Sequence, residues 1–210
     1  MKRDLKEIKV LVTRNIPVMG IEMLRQEGFS VTAWPHERPM TDQELMAAGK
    51  EHHVILCVSA DNIGADFINA CSHLEMISQF AVGYDNIDVA LATELGIPIG
   101  YAPGAMNEAT ADIAFGLMIA VARKFFYMHK GILRGEWTYF KPNANLGFEF
   151  NKKTLGIFGL GRIGMAMARR CKGAYNMNII YCNRKANPDA EKLYGAKQVS
   201  FDQLLEQSDV

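Results

Sequence analysis

Apolar positions along the chain alternate between two periods. Short runs rich in β-branched residues at 8–12, 31–34, 54–58, 74–78 and 97–99 are separated by stretches in which apolar residues recur every three or four positions. That alternation predicts strands interleaved with helices. Pro17 opens the first helix, with Ile21 and Leu24 on one face, and Gly28 closes it. Thr41-Asp42-Gln43-Glu44 is a capping box, and the helix it starts is expected to end at Gly49. Further helices are predicted at 66–71 and 88–95, while the continuous apolar run 54–58 fits a strand covered on both faces. One long helix is predicted from Asn107, as its N-cap, to about residue 129, with Ile113, Leu117, Ala120 and Val121 at helical spacing. Residues 131–150, with Gly135, Pro142 and Gly147, read as an irregular connector. The alternation then restarts, with strands at 155–158 and 178–182 and helices at 162–172 and 201–207. The expected fold is α/β, with parallel sheets and helices on both faces.

The composition, 49% hydrophobic and 22% charged over 210 residues, is that of a folded globular chain long enough for one or two domains. Lys plus Arg (23) balances Asp plus Glu (23), which leaves no broad positive field for nucleic acid or an anionic membrane. The longest apolar run, residues 113–122, falls short of the roughly 18 needed to span a bilayer. Met1-Lys2-Arg3-Asp4 leads into a segment containing Lys9, unlike a secretory signal, so a cytoplasmic location is expected. Cys57, Cys71, Cys171 and Cys182 form no C-x-x-C pair and read as reduced thiols, several of them buried. No two histidines stand four residues apart, and no metal site is expected. The methionines, among them Met118, Met165 and Met167, read as packing residues, as do Trp34 and Trp137.

Gly159-Leu160-Gly161-Arg162-Ile163-Gly164 follows an apolar strand and opens a helix rich in alanine and methionine, the context a dinucleotide-binding fingerprint requires. Gly159 permits the tight turn, Gly161 lets the backbone approach a diphosphate, and Gly164 lets the helix pack against the strand. The helix start, Arg162 and Ile163 included, offers unpaired N–H groups and partial positive charge. Ribose selection is made at the end of the next strand, where a carboxylate would favour NAD. The chain there reads Tyr181-Cys182-Asn183-Arg184-Lys185, with no acid. Arg184 and Lys185 suit a 2′-phosphate, so NADP is favoured over NAD, the alternative being two solvated loop charges.

Several stretches together carry a resemblance. They are Phe80-Ala81-Val82-Gly83-Tyr84-Asp85-Asn86-Ile87-Asp88, Gly96-Ile97-Pro98 leading to Ala102-Pro103-Gly104, Ala109-Thr110-Ala111-Asp112, Gly135-Glu136-Trp137, and Lys153-Thr154-Leu155-Gly156-Ile157-Phe158 running into the glycine motif. In this order and spacing the chain resembles the D-isomer-specific 2-hydroxyacid dehydrogenases, and within them the glyoxylate/hydroxypyruvate reductase branch. The resemblance implies a flavodoxin-like substrate lobe, residues 1–101, followed by the first half of a Rossmann dinucleotide-binding domain, residues 102–210. It implies that backbone N–H groups at Val82 and Gly83 grip the substrate carboxylate and that Thr110 contacts the nicotinamide side of the coenzyme. The implied reaction is hydride transfer between NAD(P)H and a small 2-oxo acid such as glyoxylate or hydroxypyruvate, and a homodimer is expected. The catalytic arginine, glutamate and histidine of that family match no position here. The chain is therefore expected to be an N-terminal fragment, inactive and poorly stable alone. A phosphoglycerate dehydrogenase-like enzyme and a non-catalytic NAD(P)-sensing module remain as alternatives.

Overall fold

A computed structural model of the chain describes residues 4–210. The tripeptide Met1-Lys2-Arg3, read above as part of a non-secretory start, lies outside the described residues. The chain divides into two compact units, one running to Ala105 and the other beginning at Met106.

The first unit is a five-stranded sheet in which every neighbouring pair is parallel, order β2-β1-β3-β4-β5. Its strands are β1 (Lys9–Val12), β2 (Ser30–Ala33), β3 (Val54–Cys57), β4 (Met76–Gln79) and β5 (Ile99–Gly100). Between them run α1 (Val18–Gln26), α2 (Asp42–Lys50), α3 (Ala65–Ala70) and α4 (Val89–Glu94). Register Val10↔Val54 and Ile55↔Ile77 stacks the β-branched residues of adjacent strands. Leu11, Ile55 and Ile77 are at most 2% exposed in one core, and such burial contributes about 1.5–3 kcal/mol per side chain. The Thr41–Glu44 box forms as the sequence predicts, Thr41 Oγ1 accepting from the Glu44 N–H and the Glu44 carboxylate from the Thr41 N–H. Gly49, however, does not end α2. It lies inside the helix, and a Cβ there would sit 2.8 Å from Cys71 Sγ and 2.9 Å from the Phe67 ring, so its smallness serves packing against α3.

In the second unit the predicted long helix is two helices, α5 (Asn107–Ala122) and α6 (Phe125–Leu133). Lys124 between them adopts left-handed backbone, φ 56°. The break comes from outside the helix: Phe148 donates its N–H to the Ala122 carbonyl at 2.9 Å, and the Gly147 backbone lies so close that a Cβ would be 2.7 Å from that oxygen. Asn107 is the first helical residue of α5, and no side chain caps that start. Ala120 is buried, but Ile113, Leu117 and Val121 are exposed; Phe115, Met118, Ile119 and Ala122 face the core instead. Trp137 is 60% exposed and is not a packing residue, whereas Trp34 packs against the first unit's core.

A parallel sheet follows, order β6-β7-β8, from β6 (Thr154–Phe158), β7 (Asn178–Cys182) and β8 (Lys197–Gln198), with helices α7 (Arg162–Tyr175), α8 (Pro188–Tyr194) and α9 (Phe201–Gln207). On the other edge of β6, Val210 donates its N–H to the Thr154 carbonyl (3.2 Å) and accepts from the Gly156 N–H (2.8 Å), the bonding of a parallel neighbour. From β6 the chain thus goes on to β7 and β8 on one side and returns to the other. The carboxyl end of β6 is where such sheets bind ligands. Among the described residues no helix is long and apolar enough to cross a membrane, and the four cysteines are free thiols.

Candidate functional site

The turn after β6 is shaped by its glycines. Gly159 has φ +93°, which only glycine adopts without strain, and its N–H donates to the Cys182 carbonyl at 3.1 Å. A Cβ on Gly164 would lie 2.9 Å from the Gly159 carbonyl oxygen and 3.3 Å from side-chain atoms of Ile157 and Leu160, so its absence brings α7 against β6. A Cβ on Gly161 would meet nothing within 4 Å, because the space above it is open.

No side chain caps α7, and among the described residues the N–H groups of Arg162, Ile163 and Gly164 find no protein acceptor. These donors, with the positive end of a helix of 14 residues, are what an anion requires. The turn that leads into them borders an open depression of about 1190 Å³ whose lining includes Phe158, Gly159, Gly161, Cys182 and residues 183–187. The clearance above Gly161 and the unmatched donors give this turn the room and the partners that an anionic group such as a diphosphate needs.

The loop after β7 forms the other wall. Arg184 and Lys185 are exposed, and neither pairs with a carboxylate among the described residues. Asn183 is half-buried and turned toward the glycine loop, where its Oδ1 accepts the Leu160 N–H at 2.6 Å. Beneath this loop Tyr181 is wholly buried. Its hydroxyl accepts the Asn187 N–H (2.8 Å) and donates to Glu191 Oε1 (2.7 Å). Burial raises the Tyr181 pKa, a direction the Glu191 contact reinforces, so the phenol stays a donor. Thr110 lies exposed on α5, its N–H bonded to the Met106 carbonyl. On that helix Glu108 and Asp112 bind Arg169 and Arg170 of α7, so α5 is held to α7 by side-chain charge.

In the first unit the turn after β4 presents the other candidates. Among the described residues the N–H groups of Val82 and Gly83 donate to no protein acceptor. Behind them stands a polar network that carries no sequence signal. Gln79, 2% exposed, donates through Nε2 to the Gly83 carbonyl (3.0 Å) and to Asn86 Oδ1 (2.7 Å). Asn86 in turn donates to the carbonyls of Asp61 (2.9 Å) and Val58 (3.3 Å). The Asp61 carboxylate accepts from Thr13 Oγ1 (2.5 Å), the Val58 N–H (2.9 Å) and Arg14 Nη2 (2.9 Å). Burial, with the Asp61 charge adding to it, pushes the Cys57 thiol up to about 12, so it remains a donor to Gln79 Oε1 at 3.1 Å. The loop is held by Gln79 at the end of β4 and by its own Asn86, which ties it to the turn after β3 through the Val58 and Asp61 carbonyls.

His52, His53 and His73 each bond a backbone group, and among the described residues no cluster of His, Cys, Asp or Glu has a metal-binding arrangement.

Comparison with known proteins adds three findings. The family model described as "D-isomer specific 2-hydroxyacid dehydrogenase, catalytic domain" matches residues 10–190. A glyoxylate reductase of Thermococcus onnurineus is 38% identical over 96% of this chain, which spans 61% of that relative's length. Among solved structures, the TT0316 protein from Thermus thermophilus superposes with a TM-score of 0.87 at 30% identity, over 96% of this chain and 63% of that one. A glyoxylate reductase from Paecilomyes thermophila gives 0.80 at 36% identity, with the same coverage of each chain.

Proposed function

The chain belongs to the D-isomer-specific 2-hydroxyacid dehydrogenase family, and from that premise we propose that it serves the reduction of a small 2-oxo acid, of the glyoxylate or hydroxypyruvate kind, with NADPH. The family acts on small 2-hydroxy and 2-oxo acids and uses NAD(P). The observation that carries the reading is the set of unmatched N–H groups at Arg162, Ile163 and Gly164, next to a depression that Gly159, Gly161, Arg184 and Lys185 line.

In this reading residues 102–210 hold the coenzyme and residues 1–101 the substrate. When bound, the nicotinamide supplies the hydride and the protein supplies alignment. The first turn of α7 neutralises the diphosphate, and Gly161 leaves room for it. Arg184 and Lys185 receive the 2′-phosphate, and Thr110 borders the nicotinamide side. The amides of Val82 and Gly83 take the substrate carboxylate, oriented by Gln79 pulling on the Gly83 carbonyl from behind. A carboxylate bound by main-chain donors needs no buried cation.

The exposed apolar residues Ile113, Leu117 and Val121 on α5, with Phe125, Phe126 and Leu133 on α6, support pairing with a second copy. The four free thiols support a reducing, cytoplasmic setting.

Titration with NADPH and NADH, followed by nicotinamide fluorescence, tests the reading. NADPH is expected to bind at least tenfold more tightly, and Gly161→Val to abolish binding of both. Failure of the unaltered chain to bind either nucleotide would overturn it.

A further inference from the structure

Residues 183–187 join β7 to α8, and both ends of this short loop are tied down while its middle stands free. At one end the Asn183 side chain clasps the Leu160 peptide on both sides, accepting its N–H (2.6 Å) and donating to its carbonyl (3.3 Å). The Asn183 carbonyl in turn accepts from Gln198 Nε2 at 2.9 Å. At the other end Asn187 does three things. Its Nδ2 donates to the same Leu160 carbonyl (2.9 Å), its Oδ1 caps α8 by accepting the Ala190 N–H (3.1 Å), and its own N–H is held by the buried Tyr181 hydroxyl (2.8 Å). That hydroxyl is itself fixed by the Glu191 carboxylate (2.7 Å). Arg184, Lys185 and Ala186, between the two anchors, are exposed.

We propose that Tyr181, Asn183 and Asn187 form a latch that presets the shape of this loop before coenzyme arrives, making Tyr181 and Asn187 positioning residues for recognition of the coenzyme's 2′-phosphate. The inference rests on the NADP reading above and extends it from the two cations to the frame that carries them. Two long cationic side chains on a mobile loop would lose much of their attraction to the cost of ordering backbone and side chains together; on a pinned loop only the side chains remain to be ordered. The latch fastens onto Leu160, the residue between Gly159 and Gly161. The wall that meets the ribose and the turn that meets the diphosphate therefore move as one body, and the spacing between the two phosphate sites is fixed by hydrogen bonds.

The test uses 2′,5′-ADP and 5′-AMP, which differ only in the 2′-phosphate, titrated calorimetrically into the 210-residue chain. Tyr181→Phe removes a single oxygen from the latch. Asn187→Ser keeps an oxygen to cap α8 but is too short to reach Leu160. Each is expected to weaken 2′,5′-ADP about tenfold and 5′-AMP less than twofold. In an Arg184→Ala, Lys185→Ala background, where both cations are already gone, Tyr181→Phe is expected to add less than a twofold further loss, a non-additivity that a general loosening of the fold would not produce. Hydrogen exchange on the unaltered chain is expected to show the Leu160 and Asn187 amides protected before ligand is added. Equal weakening of both ligands, no weakening of either, or amides that become protected only on binding would each overturn the latch. Should the unaltered chain hold 2′,5′-ADP no more tightly than 5′-AMP, the NADP reading itself fails and the latch with it, a result distinct from the other three.

Discussion

In the turn after β6 the free N–H groups belong to the first turn of a 14-residue helix, whereas in the turn after β4 no helix begins until Val89, and Val82 and Gly83 offer their amides from irregular backbone. Aligned peptide dipoles assist an anion within the first turn of a helix, so the former site needs little beyond glycines that keep side chains out of the way. The latter has no such field behind it. Its amides are kept in place by the buried Gln79 and the half-buried Asn86, the latter bonded in turn to the Asp61 carbonyl. Two ways of presenting main-chain donors thus have opposite weaknesses: one is damaged by adding atoms, the other by removing them.

Removing atoms from the second kind should give the largest effect. Asp61→Ala leaves the Thr13 hydroxyl, the Val58 N–H and the Arg14 guanidinium without their shared acceptor, in a site where the Asp61 side chain is 1% exposed. A loss of about 3 kcal/mol from the first unit is expected, read as a lowered midpoint of the corresponding step in urea unfolding; a shift worth less than about 1 kcal/mol would mean the network is not what holds the loop. Adding an atom to the first kind comes next. Gly164→Ala forces a Cβ to 2.9 Å from a backbone oxygen, and overpacking of that sort costs about 1–3 kcal/mol, here confined to the second unit. Gly161→Ala is the informative contrast. The added methyl meets nothing within 4 Å, and the backbone, φ −92°, accepts alanine. The melting temperature should not move, while NADPH binding weakens about tenfold, or about 1.4 kcal/mol, if the space above Gly161 is the diphosphate's, as proposed. Unchanged affinity would separate the coenzyme from this turn.

These contrasts also mark what the amino-acid order reveals. The glycine turn is legible because its determinants are local: a strand, three glycines and a helix within one short segment. The Gln79–Asn86–Asp61 support is not, because it exists only once parallel register has placed β1, β3 and β4 side by side; the Thr13–Asp61 contact alone joins positions 48 residues apart. The break between α5 and α6 is hidden for a related reason. Apolar periodicity runs on through Lys124, and what ends α5 is the Phe148 N–H on the Ala122 carbonyl. The α8 helix, by contrast, carries a local signal in Asn187-Pro188 at its start and Gly195 at its end, while β8, two residues long, is too short for any pattern to mark.

The smallest effect is expected where neither loop is involved. The Arg38 guanidinium grips Glu44 with two bonds, 2.7 and 2.6 Å. That grip first, and the Thr41 N–H second, hold the Glu44 carboxyl down to about 2. A carboxylate depressed on folding contributes stability that is fully present above its ordinary value of 4.5 and is lost as pH falls through about 2. The pair is exposed and screened by solvent, so its effect on global unfolding should be slight. Carboxyl chemical shifts provide the sharper measurement: Arg38→Ala should move the Glu44 titration upward toward its ordinary value, with Val82, Gly83 and the coenzyme turn unaffected. If that substitution weakened coenzyme binding as much as Gly161→Ala does, the difference between the two loops would reflect general stability rather than how each presents its amides.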